Sequence, residues 1–147
     1  MEKDVLFESD CLFRKSEIVM KRFLEAQNNL TTSGLSVYEK SIEEISQGYL
    51  KIHCWIRYIF PQFTGLGQSK VTKFYEIKSR EEAMAYMQDE MLRTRYLNCC
   101  QAILDSNKSI HEIFGRDAIK IRASLLLMNS VWDDIRIKQL LIKHCWI

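Results

Sequence analysis

Apolar positions recur at helical spacing along most of the chain. Val19, Met20, Phe23 and Leu24 lie on one stripe that Gln27 continues, and the polar stretch 28–34 ends that element. A second helix starts near Ser36, carries Tyr38, Ile42 and Ile45 on its inner face, and finds a C-terminal cap in Gly48. Ser69 caps a short helix through Phe74 and Ile77. Ser79 with Glu82, and Ser109 with Glu112, have capping-box spacing, in which serine and glutamate satisfy reciprocal backbone donors. The first box opens a helix carrying Ala83, Tyr86 and Met87. A longer helix follows, with Leu92, Tyr96, Cys99 or Cys100, and Ile103 inward. The second box opens a turn that Gly115 closes; residues 116–130 then read as a buried helix and 133–144 as the last one.

Residues 50–60 break this pattern, being apolar or aromatic nearly throughout. Such a stretch is buried on most sides, as a central helix or an extended piece. Period does not separate the two, because Ile52, Cys54, Ile56 and Tyr58 also alternate. The helical flanks favour a helix, which Pro61 stops by biasing Phe60 away from the α region. With one proline, five glycines and no solenoid-like period, the expectation is an all-α fold: a compact, single-domain multihelical bundle over residues 1–147, with 1–14 as a loosely ordered arm.

Composition narrows the function classes. A formal charge of +2, with both signs interspersed, leaves no electrostatic footprint for nucleic acid or an anionic membrane. The longest apolar run, 123–128 broken only by Ser124, is too short to span a bilayer, and the charged N-terminus lacks a signal region. Five cysteines (Cys11, Cys54, Cys99, Cys100, Cys145) without a Cys-x-x-Cys read as free thiols in a reducing cytoplasm. No metal or cofactor is expected: His53-Cys54 and His144-Cys145 lack ligand spacing, and helical neighbours do not face each other as nucleophile and base. His111 falls in a first helical turn and reads as exposed.

The stretch Phe60-Pro61-Gln62-Phe63-Thr64-Gly65-Leu66-Gly67-Gln68-Ser69 holds the candidate chemistry. Two glycines one residue apart let backbone N–H groups turn to one side, and a helix N-terminus follows at once. Together these form either an anion-binding concavity or a tight loop that redirects the chain past Pro61; Walker lysine spacing and a third Rossmann glycine are absent. Arg57, inside an apolar segment, must either meet a carboxylate, carbonyl or ligand anion, or snorkel to the surface. Asp117, Lys120, Arg122 and Ser124 share one helix, on which Asp117 and Lys120 are spaced to pair.

Several of these positions are collinear with a known family. Arg22-Phe23-x-x-Ala26-Gln27, Trp55, and Tyr58-Ile59-Phe60-Pro61-Gln62-x-x-Gly65-Leu66-Gly67-x-Ser69 resemble the family called domain of unknown function 1810. The likeness continues through Tyr75-x-Ile77, Glu82-Ala83-x-x-Tyr86-Met87, Leu92, Arg95, Ile113-Phe114-Gly115-x-Asp117, Lys120 and Ser124. The resemblance implies a multihelical fold with a short buried central helix and brings no established activity. The chain departs from the family pattern in two places. The usual His-Trp-x-Trp reads Cys54-Trp55-Ile56-Arg57, moving His53 by one position, about 100° around a helix. The usual Lys-x-x-Ser-Ser-x-Thr becomes Lys120-Ile121-Arg122-Ala123-Ser124-Leu125-Leu126, two hydroxyls fewer. If the family's polar cluster is catalytic, this member keeps the scaffold with degenerate chemistry.

The expected function is therefore binding of a small anionic or nucleotide-like metabolite at the 60–69 loop. Its expected residues are Gln27, Trp55, Arg57, Gln62, Gly65, Gly67, Ser69, Arg95, Lys120 and Ser124. The alternative is a non-enzymatic protein-interaction module, supported if aromatics such as Phe63, Phe74 or Trp132 are exposed together. No acid–base pair or nucleophile elbow is assignable from spacing, and the sequence sets no oligomeric state.

Overall fold

Polar caps fix most helix boundaries. A computed structural model describes residues 20–48, 55–63, 65 and 69–147; the expected N-terminal arm, Val19, His53, Cys54 and Gly67 lie outside the described residues. Helix α1, described over 20–28, precedes α2 (Val37–Gln47), whose Ser36 and Glu39 form a full capping box and whose C-terminus closes on Gly48 at φ 82°. Then come α3 (Ile56–Ile59), α4 (Lys70–Phe74), α5 (Arg80–Gln88) and α6 (Glu90–Asp105). After α7 (Ile110–Phe114) a 3-10 turn, Gly115–Asp117, leads into α8 (Ala118–Asn129) and α9 (Ile135–Lys143). Among the described residues there is no β-strand, only isolated bridges Leu30–Ser36 and Phe63–Ile77.

One cap and two boundaries are reshaped by local interactions. Ser79 accepts from the Glu82 N–H, but the Glu82 carboxylate turns back one residue further, to the Lys78 N–H at 2.6 Å, while its other oxygen meets Arg22. The box is thus half formed. Helix α4 stops at Phe74, because the Ile77 N–H is taken by the Gln62 carbonyl at 2.8 Å. Residues 116 and 117 belong to the 3-10 turn, which the Ala118 N–H closes on the Gly115 carbonyl, and Asp117 gives α8 no side-chain cap.

Helix α6 is the hub: α2, α3, α5 and α9 all pack on it, and α8 packs on α5 and α9. The core is aromatic at its centre. Phe60 meets Tyr96 edge-on at 5.0 Å and Phe114 at 6.3 Å; Trp55 meets Phe114 at 5.9 Å; Tyr86 meets Phe23 at 5.1 Å and Tyr96 at 6.2 Å. Such tilted and edge-to-face pairs add to the burial of large apolar area. Helix α3, with Ile56 and Ile59 buried, is the short inner helix of the bundle, and Phe60 leaves the α region at φ −112°, ψ 72° before Pro61.

Candidate functional site

A helix of four residues has too few internal hydrogen bonds to satisfy its own ends, and with Ile56 and Ile59 buried in α3, side chains from other helices complete it. Gln27 on α1 and Tyr86 on α5 do so. The Gln27 amide donates to the Tyr58 carbonyl at 2.8 Å and to the Tyr86 hydroxyl at 3.2 Å; that hydroxyl donates to the Ile59 carbonyl at 3.0 Å. Arg95 on α6 donates to the Gln27 amide oxygen at 3.2 Å and to Asn28 at 2.8 Å, and its guanidinium lies 4.9 Å from the Tyr38 ring centroid. Burial holds the Tyr86 hydroxyl far above the ordinary phenol range, so it stays a donor. Tyr96, likewise pushed up by burial, shares a 3.0 Å hydrogen bond with Ser124.

Past α3 the Gln62 carbonyl accepts from the Ile77 N–H and Phe63 is bridged to Ile77, which joins the chain before α4 to the chain after it. Gly65 sits at φ 101°, a region open to glycine. Its N–H points to the Glu76 carboxylate at 3.4 Å, so the anion at this turn is the protein's own side chain. Ser69 caps α4 by accepting from the Thr72 N–H at 3.0 Å and donating to the Thr72 hydroxyl at 2.7 Å.

Between loop and α4 lies a hollow of about 10 Å³ lined by Arg57, Gln62, Phe63, Thr72, Tyr75 and Glu76. Arg57 is half-buried there and makes no ion pair or hydrogen bond among the described residues. The Tyr75 ring stacks edge-on against Tyr58 at 4.7 Å and Phe74 at 5.0 Å. Burial raises the Tyr75 hydroxyl, Tyr58 adds to that, and Arg22 and Arg57 work against it.

The ten expected residues thus fall into groups. Arg57 and Gln62 meet at the hollow; Gly65 contacts the Glu76 carboxylate that lines it, and Ser69 caps α4 without lining it. Gln27 and Arg95 belong to the cap of α3, Ser124 to the Tyr96 pair, and Trp55 is buried in the core with no hydrogen-bond partner for its indole N–H among the described residues. Lys120 pairs with Asp117 at 3.2 Å on α8 and does not line the hollow; Gly67 lies outside the described residues. Sequence reasoning missed Glu76, Tyr75 and the capping role of Tyr86. The available signal was a carboxylate between two apolar residues soon after the glycine pair.

The fold and this arrangement define an all-α domain built around a side-chain-capped inner helix. The chain matches the model of the family described as Protein of unknown function (DUF1810) over residues 17–146, and it belongs to that family. Among solved structures it is similar to the crystal structure of the conserved hypothetical protein Rv1873 from Mycobacterium tuberculosis, with 35% identity, a TM-score of 0.73, and coverage of 84% of this chain and 85% of that one. No curated protein matches the chain significantly. No helix among the described residues is long and apolar enough to cross a membrane.

Proposed function

We propose that this domain binds a small anionic, nucleotide-like metabolite in the cytoplasm, with Arg57 receiving the anion in the hollow between the 60–69 loop and α4. The observation that supports this reading is Arg57 itself: a half-buried guanidinium without a counter-charge hydrogen-bonded to it, beside the rings of Tyr75 and Phe63. Removing a cation from water has a cost that a bound anion offsets. Gln62 adds a polar amide, and Tyr75 and Phe63 supply aromatic surface for a planar group. The hollow holds only a water-sized group as it stands. A ligand therefore requires α4, none of whose five residues is itself buried, to move outward. The test is a thermal-shift panel of nucleotides and sugar phosphates. Saturating ligand, at about 100 times its Kd, adds about 2.7 kcal/mol to stability. Arg57→Ala should abolish the shift. A wild-type protein unmoved by millimolar ligand, or a shift that survives Arg57→Ala, refutes the reading.

A second reading, an interaction surface, draws on the exposure of Phe63, Val71 and Phe74 around α4. Pull-downs would then lose their partner with Val71→Asp or Phe74→Asp and keep it with Arg57→Ala.

A further inference from the structure

A different part of the fold carries a second cationic hollow that shares no residue with the first. It measures about 260 Å³ and opens where α7, the 3-10 turn and the start of α8 meet the C-terminal residues. One side is basic, formed by His111, Arg116 and Arg122; the other is apolar, formed by Ile119 and Trp146. No carboxylate lines it. The nearest acids in sequence are engaged elsewhere: Glu112 accepts from the Ser109 N–H at 3.0 Å, and Asp117 pairs with Lys120 at 3.2 Å. Arg116 and Arg122 make no ion pair or hydrogen bond among the described residues. The Arg122 guanidinium only leans over the Trp146 ring, 5.9 Å from its centroid.

The apolar wall is held rigidly. Trp146 stacks on His144 at 4.7 Å and 24°, and meets His111 edge-on at 5.8 Å. His144 is fixed in turn, because its Nε2 accepts from the Ile110 N–H at 2.9 Å and its Nδ1 therefore donates to the Leu140 carbonyl at 2.7 Å. Cys145 takes a left-handed φ of 58°, a conformation unfavourable for a residue with a Cβ, and the Trp146 N–H then reaches the Leu141 carbonyl at 2.8 Å. A strained turn thus sets the indole against the basic side.

We propose that this hollow binds a small phosphate monoester with an apolar or aromatic body. Arg116 and Arg122 hold the phosphate oxygens through guanidinium forks, His111 adds a further donor, and the organic group rests on Trp146 and Ile119. Its volume lies just below the roughly 300–1,000 Å³ of most small-molecule sites, which sets the size of the ester.

Calorimetric titration of the full chain with phenyl phosphate, inorganic phosphate and phenol tests this assignment. Phenyl phosphate should bind at least about tenfold tighter than inorganic phosphate, with phenol showing no binding. The exposed pair Arg116→Gln/Arg122→Gln should weaken phenyl phosphate about tenfold or more while circular dichroism and melting stay unchanged. Arg57→Ala should leave this binding intact, which separates it from the loop site. Equal affinity for the two phosphates, undiminished binding by the double variant, or loss on Arg57→Ala alone overturns the proposal.

Discussion

Replacing Gln27 by leucine tests the claim that side chains from other helices complete α3. Gln27 is fully buried, and its amide makes three hydrogen bonds: to the Tyr58 carbonyl, to the Tyr86 hydroxyl, and from Arg95. Leucine keeps the volume and loses all three. Each neutral bond contributes about 0.5–1.5 kcal/mol net, and the one from a guanidinium about 1.5–3. Tyr86 still reaches the Ile59 carbonyl and Arg95 still reaches Asn28, so the loss should fall at about 2–4 kcal/mol. In a chain of this length that lowers Tm by about 4–16 °C. Tyr86→Phe should cost about 1–3 kcal/mol, since the Gln27 amide retains the Tyr58 carbonyl while the buried Ile59 carbonyl loses its donor. Urea denaturation of both single variants and the double variant closes a cycle whose coupling should exceed about 0.5 kcal/mol. If Gln27→Leu unfolds within about 0.5 kcal/mol of wild type, the capping account of α3 is wrong.

Three further outcomes follow from the same geometry. Gly115→Ala should destabilise by about 1–3 kcal/mol in chemical denaturation; a Cβ there meets nothing within 4 Å, so the whole cost is backbone conformation at φ 55°, ψ −125°. Peptide mapping after brief native alkylation should show Cys145 modified well before Cys99 and Cys100: the latter two are buried, and burial pushes the Cys99 thiol up to about 12 and Cys100 well above the ordinary range. Equal labelling of the three would contradict this packing. Finally, the Ser36 and Ser109 N–H groups and hydroxyls hold the carboxyls of Glu39 and Glu112 below their usual values. A depressed carboxyl favours the folded state above the unfolded pKa, and that contribution disappears as pH falls through the folded one. Amide protection factors in the first turns of α2 and α7, taken relative to the intrinsic exchange rate at each pH, should therefore fall once pH drops below about 4, and protection that stays constant there would refute the role of the boxes.

The local signals in the chain were the readable ones. Ser36, Gly48, Ser69 and Ser109 act on backbone within a turn of themselves, so sequence spacing locates them, and the stripes of α1, α5 and α6 follow from burial of one helix face. The inner helix was legible as an apolar stretch ending at Pro61. What completes it was not, since Gln27 lies 31 residues from Tyr58 and 59 from Tyr86. The half-formed box at Ser79 has the same origin: Arg22, 60 residues away, takes one oxygen of Glu82. The Lys120–Asp117 pair, three residues apart, was legible in the spacing; that Lys120 stays away from the hollow of Arg57 and Gln62 is a product of chain topology.

The Glu76 carboxylate resting against the Gly65 N–H has a thermodynamic consequence for any visitor to that turn. A tethered rival never diffuses away, and short tethers give effective concentrations in the millimolar range. Under the anion binding proposed for this loop, free anions below that level would be outcompeted, and a ligand that brings additional contacts would be favoured over background phosphate and carboxylates. Glu76→Gln would then remove the incumbent charge and raise the affinity of indifferent anions more than that of a ligand suited to the proposed site.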